Sequence, residues 1–559
     1  MLDGSARRLC LYFRTVRDLK SVQVYGRFCF RLGSPKPDLS TPPPLRARAG
    51  DWSSAPSREQ SLIGPHLYHL LAETGDIDEI GWEGPQRSRL WRYNQHYFDD
   101  LNAQGCDSRC DWHMDLLIRW VEENPPAKGV GWEPYPTSLR IVNWVKWTLA
   151  GNRLPARCVK SLAVQARWLA KRIEFHLLGN HLIANAKALI FAGMFFEGPE
   201  AAAWRRRGIS IVVRQWSEQI LDDGGHFERS PMYHALMLED LLDLLNVANS
   251  YEGSECASDC KRVQEWRVYV PKMIRWLECM THPDGNVSFF NDSAFGIAPS
   301  LKELREYASH LNFVLAGVPQ EGIERLESSG YARISKFPLL ALIDVAPIGP
   351  RYLPAHAHAD TLSFELSIGQ QRIFVNSGTS TYEAGSQREW QRSTAAHNTV
   401  VVDGEDSSEV WASFRVAGKA QPYDLDIDVT GQVIRLTCSH DGYRRLKGAP
   451  VHRREWRVGN GVFAVEDSVT DLSLPSESRF YCHPAVVPHI SDDGRGGVLE
   501  TPDGLKHHWS VAVGEARLEP ATWYPRFGVK MPTTVIVVTL VDGASSLGLE
   551  VSCEAIKSS

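Results

Sequence analysis

The densest group of chemically capable residues is Ala355-His356-Ala357-His358-Ala359-Asp360. In an extended segment residues 356, 358 and 360 point to one side, so two imidazoles and a carboxylate converge. Such a trio suits a divalent metal or a polyanion, and it equally suits a hydrogen-bonded cluster without metal. His397, in Ser393-Thr394-Ala395-Ala396-His397-Asn398-Thr399, again opens a strand-like run. An HxH pair plus a distant histidine is the smallest kit for a zinc-type site, although the spacing is common. Two loop-to-helix junctions add other groups. In Leu178-Gly179-Asn180-His181, Asn180 is either a helix N-cap or a functional amide. In Asp223-Gly224-Gly225-His226-Phe227-Glu228-Arg229-Ser230-Pro231-Met232-Tyr233, the glycines let backbone approach a ligand, and Glu228, Arg229 and Tyr233 supply acid, cation and phenol. The alternative there is a capped helix with Tyr233 packed beneath it. Trp132, in the loop Gly129-Val130-Gly131-Trp132-Glu133-Pro134-Tyr135-Pro136, is a flat aromatic suited to the apolar face of a sugar ring.

The elements that must carry these groups divide the chain. From about residue 110 to 320 the pattern is helical: Trp112–Glu123, Ser138–Ala150, Val159–His176, His181–Phe196, Ala201–Leu221, Tyr233–Tyr251 and Val263–Met280 are apolar at three- and four-residue steps, with short Gly, Pro or Asn breaks between them. Short connections make such helices antiparallel neighbours, so this half is expected to be a bundle or a ring of helical hairpins. Trp120, Trp144, Trp147 and Trp168 fall within helices and are expected in its core. After about residue 325 the period changes to short β-branched or alternating runs such as Leu339–Val345, Leu362–Ile368 and Thr534–Leu540. Helices followed by strands predict a separate all-α domain and a β-sandwich-like domain. The expected boundaries are 1–65 for a poorly patterned extension and Pro-rich linker, 66–325 for the helical domain and 326–559 for the strand domain.

The composition is compatible with this. The 559 residues need more than one core, and 43% hydrophobic with 23% charged residues describe a globular chain. A net charge of −6 argues against a nucleic-acid binder, and no apolar run is long enough for a membrane-spanning helix. Eleven cysteines, an odd number in a long chain, are not a disulfide framework. The first residues lack the long apolar stretch of a secretory signal, so the sequence as given is expected to be cytoplasmic.

Taken in order, these segments resemble the heparinase II/III-like polysaccharide lyases. The matching stretches are Trp91–Phe98, Trp132–Arg140 with Ile141-Val142-Asn143-Trp144, Gly179–Leu189, Gly224–Tyr233, His356–Leu366 and Arg392–Gly404. The resemblance implies a multidomain α+β fold: an N-terminal incomplete (α/α) toroid followed by a C-terminal antiparallel β-sandwich, with a cleft between them. It implies β-elimination on an acidic, uronate-containing polysaccharide, and a periplasmic place if the true start lies upstream.

That chemistry explains the residue types. The C5 proton of a uronate is very weakly acidic until the adjacent carboxylate is neutralised or hydrogen-bonded. By resemblance Asn180 takes that role, with His181 and His356 as helpers. A base removes the proton and an acid protonates the leaving oxygen. Tyr233 matches the family tyrosine that does one or both, with Arg229 or a histidine as the cation that steadies its phenolate; whether His356 or Tyr233 is the base stays open. Gln95, His96, Trp132, Tyr135, Arg140, Asn143, Glu228 and Arg229 are the expected substrate contacts. His358 and His397 match two of the family's metal ligands, so one divalent ion, Zn or Ca, is the expected cofactor. Asn376 stands where the third ligand is commonly an aspartate, which weakens such a site. Two other readings remain: a glycoside hydrolase using carboxylates among Asp222, Asp223, Glu228 and Asp240, and a non-catalytic polysaccharide-binding protein.

Overall fold

The computed structural model describes residues 4–33, 35–317, 321–471 and 473–552. Cys110–Glu123, Pro134–Leu149, Ala156–Lys171, Gly179–Phe195, Gly198–Gln219 and Pro231–Ser250 are successive helices. Proline in the first turn starts those at 134, 198 and 231, where its missing N–H has no helical partner to lose. Gly179–Phe195 is buried along nearly its whole length and forms the centre of this half. It packs tightly against Gly198–Gln219 because two positions lack a side chain. A Cβ at Gly193 would meet the Ala201 carbonyl at 2.6 Å, and one at Gly208 would meet the Ala186 carbonyl at 2.6 Å. Trp120, Trp144, Trp147 and Trp168 are buried in the same core.

Two expectations change. Val263–Met280 is not one helix: Ala257–Gln264 passes through the 3₁₀ turn Glu265–Tyr269 into Val270–Cys279. Pro271, which cannot donate to a preceding turn, lies in the first turn of the last piece. The N-terminal extension holds two helices, Gly4–Arg17 and Ser21–Leu32. The Pro-rich stretch after them has no regular structure but is packed down, with Arg167 donating to the Ser40 and Thr41 carbonyls and Glu197 N–H to the Pro44 carbonyl.

The second half is antiparallel throughout its paired strands. A five-stranded sheet runs, in spatial and chain order, through Gly322–Leu326, Tyr331–Lys336, Leu339–Asp344, Phe364–Ile368 and Gln371–Phe374. An eight-stranded sheet begins Pro422–Asp428, Val433–His440, His452–Gly459, Val462–Val469 and then takes in Ala544–Glu550 before three shorter strands. A four-stranded sheet joins Glu515–Trp523, Met531–Thr539, Ser476–Tyr481 and Val400–Val402. Side chains from all three sheets, including Ile334, Phe364, Trp456, Phe463, Phe480 and Ile536, meet in one buried core. The architecture is therefore an α/α helical half followed by a β-sandwich. A smaller apolar cluster, Trp276, Met280 and Phe290 against Leu326, Tyr331 and Leu340, joins the halves.

Candidate active site

The loop after Val270–Cys279 crosses this junction. Asn291 sits in the left-handed region at φ 57°, a cost that its side chain offsets by bonding on both ends. Its amide donates to the Arg229 carbonyl at 2.9 Å, and its oxygen accepts from His358 N–H at 3.1 Å. The turn aims Asp292 at the HxHxD segment. Asp292 is fully buried and accepts from His356 Nδ1 at 2.9 Å, His358 Nε2 at 2.9 Å and the Thr379 hydroxyl at 3.2 Å. Arg388 grips both of its oxygens. Burial opposes the charge, but Arg388 and the two imidazoles outweigh it and hold Asp292 well below the usual carboxylate range. Asp360 turns to the same place, accepting from Asn291 N–H at 3.1 Å. Of the expected trio, His356 and His358 converge on a carboxylate from the helical half, while Asp360 joins through the Asn291 backbone, and the segment is a turn and not a strand.

Because Asp292 accepts at Nδ1, His356 Nε2 is the ring's basic nitrogen. It lies 3.8 Å from Glu228 Oε2, and its ring lies 4.0 Å from that of Tyr233. Glu228 is buried and accepts from the Asn180 backbone N–H, while its Oε2 has no hydrogen-bond partner. Burial pushes its carboxyl up, favouring the protonated form. Gly179, at φ +54°, lies against it; a Cβ there would meet Glu228 Oε1 at 2.6 Å. Tyr233 is presented by the start of Pro231–Ser250, where the Ser230 hydroxyl accepts from its N–H at 3.1 Å. Its hydroxyl meets that of Tyr382 at 3.0 Å. Burial, and then the neighbouring Tyr382, push the Tyr233 phenol well above its ordinary value, so it is a neutral proton donor at rest.

Leu178, not Asn180, caps the helix Gly179–Phe195; Asn180 is in its first turn, half-buried, and its amide makes no hydrogen bond among the described residues. His181 lies beside it, 3.2 Å from Glu174 and 4.4 Å from the Tyr135 ring. Asn180, His181, Tyr135, Glu228, Tyr233 and His356 therefore line one region.

Other expected contacts fall elsewhere. Arg229 donates to the Ser329 carbonyl at 2.8 Å, bracing the junction and not a phenolate. Arg140 is fully buried over the Trp120 ring at 3.8 Å and bonds Gln165. Gln95 and His96 are buried, with His96 Nδ1 accepting from Trp120 at 3.0 Å and burial pulling its pKa down to about 3. Trp132 is a core residue, 5.7 Å from Trp120, and not a sugar platform. Asn143 bonds the Tyr97 carbonyl and Asp99. Arg229 apart, the cause is common to the other five: the faces of the helices and of the turn that carry them pack into the aromatic core of the helical half.

His358 Nδ1 and His397 Nε2 face each other at 3.0 Å, and His397 Nδ1 donates to the Ser393 carbonyl at 2.7 Å. Asn376 Oδ1 accepts from Asn398 N–H at 3.1 Å. As arranged, the three expected ligands do not fit a divalent cation. The amide oxygen is occupied, and among the described residues no three His, Cys, Asp or Glu are grouped to hold an ion.

Asp292, Arg388, Tyr382 and Glu174 escaped the sequence reading. The signal for Asp292 was a lone acid between Asn and Ser just after Phe289-Phe290, where a buried carboxylate needs a cation; its partner lies 96 residues on.

Two family descriptions match the chain one after the other: Heparinase II/III N-terminus over residues 119–313 and Heparinase II/III-like, C-terminal over 318–554. The chain belongs to the heparinase II/III-like family. A heparin-sulfate lyase of Bacteroides stercoris is 28% identical over 325 residues, 55% of this chain and 46% of that protein. FtsZ-localized protein C of Caulobacter vibrioides is 24% identical over 461 residues, 77% of this chain and 76% of that protein. The chain spans about half the length of the curated lyases it matches. A crystal structure of heparinase III superposes with a TM-score of 0.66 at 18% identity, covering 85% of this chain and 80% of that one. The heparan sulfate lyase of Pedobacter heparinus gives 0.57 at 18% identity, covering 95% and 88%. These likenesses agree with the toroid-plus-sandwich architecture.

Proposed function

We propose that this protein is a polysaccharide lyase that cleaves a uronate-containing acidic polysaccharide by β-elimination at the junction of its two halves. The observation that carries this reading is the Asp292–His356 pair set 4.0 Å from a buried, neutral tyrosine. In this reading the Asn180 amide, His181 and protonated Glu228 hold the substrate carboxylate, so negative charge growing there meets donors fixed in advance. His356 Nε2 removes the C5 proton, and Asp292 stabilises the imidazolium that forms, as a carboxylate does in other acid–base relays. Tyr233 gives its proton to the leaving O4, with Tyr382 holding the phenol in place. The relatives named heparin-sulfate lyases support a glycosaminoglycan-like substrate.

The hydrolase reading is less well served. Asp223 accepts from Ser329 N–H and hydroxyl, and Asp240 is paired with Lys187 at 2.7 Å, so neither is free for hydrolysis. A second reading, polysaccharide binding without turnover, is favoured by the long match to a protein named for localisation and not for catalysis. One experiment separates them: the protein is incubated with heparan sulfate, chondroitin sulfate, alginate and bacterial exopolysaccharides while ultraviolet absorbance follows new C4=C5 double bonds. Absorbance supports the lyase, reducing ends without absorbance mean hydrolysis, and retention of the polymer with neither signal means binding.

A further inference from the structure

The two N-terminal helices are seated on the molecule by one face only. Thr15 accepts from the Trp411 indole, Gln23 donates to the Tyr352 carbonyl, Phe30 lies 4.4 Å from His176, and Arg172 donates to the Phe30 carbonyl at 2.6 Å. Asp18, the acid between the helices, is bound to Lys419 at 2.6 Å and Arg351 at 3.2 Å. These contacts fix the hairpin to the strand half and the helical half at once.

The opposite face is apolar and has nothing against it among the described residues. Leu9, Phe13 and Val16 recur at helical spacing on the first helix, and Val24, Phe28 and Leu32 on the second. Phe13 is 71% exposed, Phe28 65% and Leu32 84%. Isolated exposed apolar residues are ordinary, but a row of large ones on two adjoining helices is not. The charge is equally one-sided. From residue 8 to 32 there are six cations against Asp18 alone, in a chain whose net charge is −6. Arg8, Arg17, Arg27 and Arg31 are exposed. Long arginine stems flanking an apolar row can lay their carbon along it and keep the guanidinium at a polar boundary.

We propose that this hairpin docks the protein on an anionic lipid bilayer, lying in the plane of the surface. At 14 and 12 residues the helices are too short to span hydrocarbon, and no described helix is long and apolar enough to do so. The pairing of an apolar row with flanking cations is what an interfacial helix needs, since each element supplies part of the affinity and the anionic surface concentrates the cations. A second copy of the chain would bring the same cations together and repel. The hairpin also borders the cleft: Trp411, which it covers, belongs to the loop that carries Phe414, 6.1 Å from the His356 ring. The docking stands apart from the reading of the cleft and does not depend on turnover.

The test is flotation of the full chain with vesicles of phosphatidylcholine alone or with added phosphatidylglycerol. The expected result is binding to the anionic vesicles that weakens as salt rises. Phe13→Glu with Phe28→Glu, checked by circular dichroism and melting for an intact fold, should lower partitioning at least about tenfold. Arg27→Glu with Arg31→Glu, which leaves the apolar row untouched, should abolish the preference for anionic vesicles. The proposal is overturned by a wild-type chain that stays off both vesicles, by variants that float as well as wild type, or by a concentration-dependent dimer that Phe13→Glu with Phe28→Glu disperses.

Discussion

Two histidines, an aspartate and an arginine make contact in the same order at two places, one at the junction of the halves and one within the sandwich. Near the cleft, His397 meets His358, His358 meets Asp292, and Arg388 grips Asp292. Within the sandwich, His440 meets His452 at 3.1 Å, His452 meets Asp467 at 2.7 Å, and Arg454 grips Asp467 at 2.7 and 2.9 Å. Their ends differ. His440 Nδ1 accepts from Gly442 N–H at 3.1 Å, so each ring needs one proton and both are neutral; burial, with His452 next to it, pulls His440 well below its ordinary value. His397 Nδ1 instead donates to a carbonyl, and His358 Nε2 donates to a carboxylate held ionised. Burial pulls both imidazoles below their ordinary value, His397 to about 4, so this pair too is neutral, and its two unprotonated nitrogens face each other. At the other end Asp467 reaches the Ser478 hydroxyl at 2.7 Å and stops, whereas Asp292 reaches a third ring, His356, whose side chain is 12% exposed. The motif is a sandwich staple in one place and the support of a base in the other. Two facing unprotonated nitrogens at one end and access to solvent at the other make the difference.

The strongest way to break this comparison is to remove both carboxylates in turn. Asp292→Asn leaves Arg388, and Asp467→Asn leaves Arg454, as a buried cation without its carboxylate, so each variant is expected to lose about 3–5 kcal/mol of stability in denaturant melts. Only Asp292→Asn should also lower kcat, by about 10³–10⁴-fold, because His356 loses its orientation and its counter-charge. Equal loss of turnover per folded molecule in Asp467→Asn would erase the distinction.

Next in size are the phenols. Tyr233→Phe should cost at least about 10²-fold in kcat. Tyr382→Phe, which removes one hydrogen bond to Tyr233, should cost about tenfold. Steady-state absorbance assays rank them, and full activity in Tyr233→Phe defeats the proposed mechanism.

Glu228 sharpens the comparison through pH. Its folded pKa is raised by burial, so the folded state holds this proton more tightly than the unfolded chain. Its contribution is complete below the unfolded value and is lost as pH rises through the folded one. Melting temperatures should fall across that window in wild type and fall less in Glu228→Gln. If Glu228 acts as a neutral donor, Glu228→Gln also keeps turnover on the alkaline side where wild type declines.

The smallest effect concerns the facing nitrogens of His358 and His397. Asn376→Asp places a carboxylate beside this pair and is expected to raise affinity for Zn or Ca about tenfold or more by calorimetry. An unchanged affinity would mean that the facing nitrogens hold no ion whatever that side chain is.

Much of this was readable from residue order. Period alone placed the helices from Cys110 to Ser250 and the strands from Leu339 onward, because 3.6- and 2-residue patterns are local consequences of burying one face. The series of short segments identified the family and pointed to Asn180, His181, Tyr233 and His356. What failed was burial. Trp132, Arg140, Gln95, His96 and Asn143 carry polar or planar groups suited to a sugar, yet the aromatic core seals them, and no local pattern reports what packs from a distant helix. The amphipathic rows on Gly4–Arg17 and Ser21–Leu32 were present in sequence but masked by the irregular stretch that follows them.

The sequence by itself determined the two classes of half, their order, and the types of group available for proton transfer. Tertiary structure decided which groups act together. Asp292 comes from the helical half, the histidines from the HxHxD segment and Arg388 from the strand half, so the relay exists only when the two halves close on the junction. The physical reason is that a buried carboxylate's charge and an imidazole's proton position are set by partners within about 3 Å, whatever their separation along the chain.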